Sequence, residues 1–138
     1  MVVNKERLWN RWNEIGSIGA DPRGGVSRFS WTPAYKEACV KLIEIMESIG
    51  LKVRMDAVGN IYGRLEGTEP SIAPILTGSH FDTKPMGGRF DGNAGVMAAL
   101  ECLSTMHDAG YRPRRSIEMI AIINEAASEF LGGCFGSR

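Results

Sequence analysis

The sequence contains few of the residues that usually build disulfide scaffolds and metal centres. Its 138 residues include 3 cysteines and 2 histidines. Cys39, Cys102 and Cys134 are odd in number and widely spaced, so they predict neither a disulfide framework nor a cysteine zinc site. One metal centre normally needs three or four ligands, which two histidines alone do not provide. A reducing compartment is the simplest setting for such a chain.

Long apolar runs and an excess of charge are also missing. No run approaches the roughly eighteen apolar residues of a membrane-spanning helix, and residues 1–11 are charged, without the apolar segment of a signal peptide. We therefore expect a cytoplasmic protein without a membrane partner. The 16 Lys and Arg balance 16 Asp and Glu, which argues against a nucleic-acid or anionic-membrane surface.

The chain has enough apolar residues for a real core and a pattern typical of an α/β protein. Hydrophobic residues make up 43% of the sequence, and the length fits one modest domain or part of a larger one. Asn4, Thr32-Pro33 and Gly92-Asn93 mark three helix starts. The predicted strands are residues 51–55, residues 61–65, a central strand opened by Pro74, and residues 117–123. This alternation predicts a mixed, mostly parallel sheet with helices on both faces, to which the first two strands add an antiparallel hairpin.

One stretch carries most of the chemically reactive side chains. It runs Gly78-Ser79-His80-Phe81-Asp82-Thr83 and continues as Gly87-Gly88-Arg89-Phe90-Asp91-Gly92. Loops at the carboxyl ends of strands often hold ligands in α/β proteins. His80 and Asp91 suit a metal such as zinc or manganese, and Asp82 can accept a hydrogen bond from the second nitrogen of the His80 ring. The alternative is that His80 is a hydrogen-bonded polar residue at a strand end.

Two further segments and the second histidine are other candidates for a functional role. Asn124-Glu125 follows the predicted strand 117–123 and repeats the pattern of a buried strand followed by a reactive side chain. The glycine-rich segment 20–30 either approaches a ligand closely or forms a surface connection. His107 lies in the last turn of a predicted helix, where we expect a solvated residue favoured by the helix dipole.

Together these motifs resemble the M20 family of metallo-amidohydrolases. The resemblance is to the amidase/carbamoylase/hydantoinase branch, which includes N-carbamoyl-L-amino-acid hydrolases, allantoate amidohydrolases and beta-ureidopropionases. It covers almost the whole chain. The segments that carry it are 24–28, 78–83, 87–92, 112–115 (Arg-Pro-Arg-Arg) and Asn124-Glu125.

The resemblance implies a role for each residue of the loop. His80 would bind one of two divalent metal ions, zinc or manganese, and Asp91 would bridge both. Asp82 would orient His80, and Glu125 would act as the general base that takes a proton from the attacking water. The implied fold is zinc-peptidase-like (phosphorylase/hydrolase-like), and the implied substrate is a small N-carbamoyl or ureido compound.

The sequence departs from the family pattern in two respects. The pattern has a metal-binding Glu directly after the general base, where this chain has Ala126. Glu129 is one helical turn beyond Glu125 and is an alternative ligand if that segment is helical. Family members are also much longer, so the resemblance implies that residues 1–138 correspond to the N-terminal portion of an M20-type catalytic domain, without its dimerisation domain and C-terminal catalytic segment.

These departures leave two interpretations open. The chain is either part of an amidohydrolase, truncated and inactive when isolated, or a non-catalytic remnant that acts as an oligomerising or partner-binding domain. Unpaired strand edges would favour self-association in either case.

Overall fold

A computed structural model of the chain describes residues 1–126 and 132–138. Within that part of the chain, three helices and four strands form one α/β unit. The helices are α1 (Lys5–Ser17), α2 (Pro33–Ser48) and α3 (Asn93–Asp108). The strands are β1 (Lys52–Met55), β2 (Ile61–Leu65), β3 (Ile75–His80) and β4 (Ile117–Ile122). No helix among the described residues is both long enough and apolar enough to span a bilayer.

The helix starts follow from local capping chemistry. The Asn4 side chain accepts a hydrogen bond from the Arg7 amide, and the Thr32 hydroxyl accepts one from the Tyr35 amide. Each bond satisfies an amide that has no partner inside the helix. Helix α3 begins at Asn93 without a side-chain cap, after Gly92. All three predicted starts are confirmed.

The sheet is mixed, as predicted, with the strand order β1-β2-β4-β3. The pairs β1–β2 and β2–β4 are antiparallel, and only β3–β4 is parallel. The expectation of a mostly parallel sheet is therefore wrong for the described residues. The reason is topological: α3 returns the chain so that β4 runs parallel to β3, while the β1–β2 hairpin leaves β2 antiparallel to β4.

The centre of the sheet is β4 rather than the strand that follows Pro74. Strand β3 lies at an edge, and its side chains Ile75 and Leu76 are 49% and 56% exposed. Within residues 1–126 and 132–138 the prediction of a buried central strand there is wrong, because an apolar run does not reveal how many neighbouring strands will cover it. Strand β4 has a neighbour on each side, and residues 118–121 are all buried.

Helices α2 and α3 pack on one face of this sheet, and α1 packs on α3 and α2. Met119 of β4 belongs to a single apolar cluster with Ile15 of α1, Leu42 of α2 and Leu100 of α3. On the opposite face, Glu118 accepts hydrogen bonds from two arginines on β1 and β2, Arg54 and Arg64, at 3.0 and 3.1 Å. The prediction of helices on both faces is wrong for the described residues, since charged pairs occupy the second face.

A buried carboxylate fastens α1 to α3. Glu101 of α3 accepts hydrogen bonds from the Arg7 guanidinium at 2.8 Å and from the Asn4 amide at 3.0 Å. One turn along α1, Arg11 donates to the Ser104 hydroxyl at 2.7 Å. A buried carboxylate is tolerated only when such donors surround it. Helix α1 is therefore held in place over α3, and its C-terminal end lies near the end of β3.

Candidate metal and catalytic site

Three predicted side chains meet at the carboxyl end of the parallel strand pair. His80 is the last residue of β3 and lies opposite Ile122 of β4, so the loops that follow both strands leave the sheet at the same edge. The His80 Nε2 atom is 3.5 Å from Asp91 Oδ1 and 3.7 Å from Glu125 Oε2. The structure thus brings together an imidazole and two carboxylates from three separate segments.

Gly92 allows the Asp91 carboxylate to approach His80. Its φ of +65° lies in the left-handed region that residues with a Cβ rarely adopt. A Cβ at this position would be 2.5 Å from both the carbonyl oxygen and the Nδ1 of His80. The loop before α3 can therefore lie against the end of β3 only with glycine at position 92.

The variant Gly92→Ala is expected to lower the free energy of unfolding by about 2 kcal/mol, because it strains the backbone and displaces His80. Gly67→Ala is the matched control, since its Cβ would be 2.6 Å from the Arg114 carbonyl, far from the site. Urea unfolding and NMR of the His80 ring are the measurements. Both variants should lose stability, but only Gly92→Ala should shift the His80 resonances; equal shifts would contradict this.

Asp82 orients His80 through its main chain and uses its carboxylate elsewhere. The His80 Nδ1 atom is 3.0 Å from the Asp82 carbonyl oxygen and 3.7 Å from Asp82 Oδ1. With Nδ1 turned to this carbonyl, Nε2 is the ring atom that faces Asp91 and Glu125. The sequence predicted that Asp82 accepts a hydrogen bond from the His80 ring. The accepting atom is the main-chain oxygen of Asp82 and not its carboxylate.

The Asp82 carboxylate holds the loop that follows β4. Asp82 is completely buried, and its Oδ1 and Oδ2 atoms accept hydrogen bonds from the amides of Glu125 at 3.1 Å and Ala126 at 3.0 Å. Asn124, whose φ is +56°, donates its amide to the Ser30 hydroxyl at 2.9 Å. Glu125 therefore has a fixed backbone and a side chain that is 43% exposed.

The charges of His80 and Asp82 stabilise each other. The Asp82 carboxylate raises the pKa of His80 to about 9, against the opposing effect of burial, with smaller contributions from the Asp82 carbonyl and from Glu125. Burial alone would raise the pKa of Asp82, but the His80 ring and the amides of Glu125 and Ala126 outweigh it and hold that pKa below its usual value. In the absence of a cation, a protonated imidazole supplies the positive charge of the site.

The side chains of His80 and Asp91 provide part of the ligand set that one cation needs. Ligands at about 2.1 Å in a tetrahedral site lie about 3.4 Å apart, which agrees with the 3.5 Å between His80 Nε2 and Asp91 Oδ1. However, residues 1–126 and 132–138 contain no group of three or more His, Cys, Asp or Glu that could hold a metal ion. Ala126 adds a methyl group where a ligand was expected, and Glu129 lies outside the described residues.

Residues of the N-terminal glycine-rich segment also reach the site, and their role was not predicted. Val26 pairs with Gly87 through two backbone hydrogen bonds of 3.0 and 2.9 Å. Arg28 is buried, and its guanidinium donates to the carbonyl of Phe81, the residue between His80 and Asp82. The only signal in the sequence was the glycine-rich motif itself, which does not say what its arginine contacts.

Comparison with known proteins identifies relatives over nearly the whole chain. Residues 60–138 match Peptidase family M28. The chain is 41% identical over 137 residues to the N-carbamoyl-L-amino acid amidohydrolase of Geobacillus stearothermophilus, covering 99% of this chain and 34% of that protein. It is 39% identical over 127 residues to the allantoate amidohydrolase of Escherichia coli strain K12, covering 90% and 30%. It is 37% identical over 138 residues to the ureidoglycolate hydrolase of Arabidopsis thaliana, covering 100% and 29%.

Solved structures agree with this result. A hydantoinase/carbamoylase family amidase from Burkholderia ambifaria matches with a TM-score of 0.87 and 40% identity, over 89% of this chain and 30% of that one. The aminopeptidase PepT of Bacillus cereus, at a TM-score of 0.69 and 21% identity over 89% and 37%, shares the fold. The chain spans about a third of the length of the curated relatives it matches. By the match over residues 60–138 the chain belongs to peptidase family M28, and relatives aligned over 99% and 90% of this chain confirm the resemblance to the carbamoylase and allantoate amidohydrolase branch of the M20 family.

Proposed function

We propose that residues 1–138 correspond to the N-terminal part of an M20-type catalytic domain in a metal-dependent amidohydrolase. The protein would hydrolyse the C–N bond of a small N-carbamoyl or ureido compound, the substrate class named in its relatives. The observation that carries this proposal is that the Asp91 and Glu125 carboxylates both lie within 3.7 Å of His80 Nε2 at one edge of the sheet.

In this proposal His80 and Asp91 are cation ligands. The His80 ring is fixed by its Nδ1 contact with the Asp82 carbonyl, which leaves Nε2 free to bind a cation. Asp91 is 58% exposed and has two oxygens, so its carboxylate is able to bridge two cations. Two zinc or manganese ions would lower the pKa of water and polarise the substrate carbonyl when bound.

Glu125 is the proposed general base. Its main-chain amide is anchored by the buried Asp82 carboxylate, while its own carboxylate faces solvent beside His80. A carboxylate with an anchored backbone and a free side chain can take a proton from the attacking water and pass it to the leaving nitrogen. The carbamoyl substrate would then yield an amino acid, carbon dioxide and ammonia. Because the described residues supply two cation donors, we expect no turnover by the isolated 138-residue chain.

We expect the chain to bind zinc or manganese weakly. The variant Asp91→Ala should abolish this binding, because His80 is then the single remaining ligand of the proposed pair. Glu44→Ala is the matched control, since the Glu44 side chain is 62% exposed, like Asp91, but lies on α2 far from the site. Equilibrium dialysis followed by elemental analysis gives the metal content. Loss of metal in Asp91→Ala alone supports the proposal. Equal binding by all three proteins, or by none, would contradict it.

A second candidate is a non-catalytic domain that binds a partner or a second copy of itself. Two observations favour it: Ala126 replaces the expected ligand, and the edge strand β3 exposes Ile75 and Leu76. An exposed apolar edge strand offers unpaired backbone groups to another strand. This candidate predicts that none of the three proteins retains metal after dialysis, so the same measurement separates the two functions.

A further inference from the structure

Arg28 is a buried charge with an unusual set of partners. Its side chain is among the largest that are fully buried, with 1% of the residue exposed. Within residues 1–126 and 132–138, no carboxylate lies at ion-pair distance from its guanidinium. A buried guanidinium is tolerated only when its N–H groups find acceptors. The identity of those acceptors shows what Arg28 holds together.

The guanidinium connects the end of α1 to the residue between His80 and Asp82. Its Nε and Nη2 atoms donate to the Phe81 carbonyl at 3.2 and 3.1 Å. Its Nη1 atom donates to two carbonyls at the end of α1, those of Ile15 at 2.9 Å and Ile18 at 3.3 Å. The C-terminal end of a helix carries partial negative charge, which favours a cation there. The Phe81 ring, centred 4.7 Å from the guanidinium carbon, adds a cation–π contact.

The main chain of Arg28 forms hydrogen bonds with Thr83, the residue that follows Asp82. The Arg28 amide donates to the Thr83 hydroxyl at 2.8 Å, and the Thr83 amide donates to the Arg28 carbonyl at 3.0 Å. The Thr83 hydroxyl in turn donates to the Val26 carbonyl at 2.9 Å. Both neighbours of Asp82 in the chain are therefore held by one residue, Phe81 by the Arg28 side chain and Thr83 by its backbone.

We infer that Arg28 is a positioning residue for the site: it fixes Phe81 and Thr83, and so sets where the Asp82 carboxylate meets the loop after β4. The chain of contacts runs from α1 through Arg28 and Phe81 to Asp82, and then to the amides of Glu125 and Ala126. This inference concerns the apo loop itself. Only its consequence for cation binding and hydrolysis rests on the proposed function.

The variant Arg28→Lys distinguishes a positioning role of Arg28 from a role that only fills space in the core. Lys keeps a positive charge and a long stem, but its ammonium is a point donor and lacks the planar fork that spans the Phe81 carbonyl and the end of α1. Arg28→Lys should therefore loosen the Asp82 loop beyond any general loss of stability. Arg11→Lys is the matched control, because Arg11 is also a largely buried arginine, but it binds Ser104 on α3.

Amide hydrogen exchange, read residue by residue by NMR on the metal-free chain, is the test. Arg28→Lys should accelerate exchange at the Glu125 and Ala126 amides by about tenfold relative to amides inside β4, which report global opening. Arg11→Lys should accelerate all of these amides by the same factor. If Arg28→Lys accelerates exchange at the Glu125 and Ala126 amides by the same factor as at the β4 amides, Arg28 only fills the core and the inference is overturned.

A second pair of variants covers the case in which Arg28→Lys does not fold. Thr83→Val removes the hydroxyl that links Arg28 to Val26, whereas Thr83→Ser keeps it. The selective acceleration at Glu125 and Ala126 should appear in Thr83→Val and be reversed in Thr83→Ser; its absence from Thr83→Val overturns the inference. Zinc dialysis of the same variants separates the two proposals, since selective exchange without zinc binding by the parent chain would contradict only the proposed function.

Discussion

Replacing Asp82 by asparagine is expected to lower the free energy of unfolding by about 3 kcal/mol. The carboxylate is fully buried and accepts hydrogen bonds from two main-chain amides while lying beside a charged ring. Asparagine has nearly the same shape but only one acceptor oxygen. Its amide nitrogen would face either the Glu125 or the Ala126 N–H, leaving two donors in contact, and the charge beside His80 would be lost.

The same variant should remove a pH dependence of stability. The pKa of His80 is raised from 6.5 to about 9 in the folded chain. A raised pKa in the folded state stabilises the protein fully below the unfolded value, and this contribution disappears as the pH rises through the folded value. The wild-type chain should therefore lose on the order of 3 kcal/mol between about pH 6 and 10. The lowered pKa of Asp82 reflects the same contact and is not counted again.

Urea unfolding at pH 6, 8 and 9.5, with a chelator present, tests both expectations. Asp56→Asn is the matched control, since Asp56 Oδ1 accepts hydrogen bonds from three amides of the β1–β2 turn and has no histidine beside it. That variant should lose stability at every pH and keep the alkaline slope. An alkaline slope that survives in Asp82→Asn would show that His80 is not the group responsible.

The second large effect concerns turnover. Residues 1–138 joined to the remainder of the Geobacillus stearothermophilus amidohydrolase, and carrying Ala126→Glu, should hydrolyse an N-carbamoyl-L-amino acid. Adding Glu125→Gln should then lower kcat about 10²- to 10⁴-fold, because glutamine keeps the shape of the side chain and cannot accept the proton. The metal content should remain unchanged, since Glu125 is proposed as a base and not as a ligand.

The chimera with Ala126 retained is the informative comparison. If the missing carboxylate limits the site, this protein should bind less metal and turn over more slowly than the Ala126→Glu form. Equal activity of the two would show that residue 126 is not a ligand in this fold. An inactive Ala126→Glu chimera that still binds metal would instead favour the non-catalytic candidate, and equal kcat in Glu125→Gln would remove Glu125 from its proposed role.

Much of the site was predictable because its chemistry is local in sequence. His80 and Asp82 follow an apolar strand, Asp91 precedes a helix, and Glu125 follows a second strand, so their meeting at one sheet edge required only that the two strands be parallel neighbours. Helix starts at Asn4 and Thr32 were predictable for the same reason, since a capping side chain acts within a few residues.

The remaining features depend on contacts between distant segments. The apolar residues Ile75 and Leu76 indicated a buried strand, yet the sequence does not record that β3 has a single neighbour in the part of the chain that the structure describes. An arginine in a glycine-rich segment reads as surface, whereas Arg28 lies in the interior because helix-end and loop carbonyls surround it. Which oxygen of Asp82 would face His80 was likewise decided by the competing amides of the loop after β4.

The contact between Asp82 and the loop after β4 sets the order in which the protein can assemble during synthesis. Asp82 leaves the ribosome 43 and 44 residues before the amides of Glu125 and Ala126 that solvate its carboxylate. Until those residues emerge, burial of Asp82 would strand a charge without donors. Burial of the Asp82 carboxylate therefore has to wait for residues 125 and 126, and the site closes only after they have been synthesised.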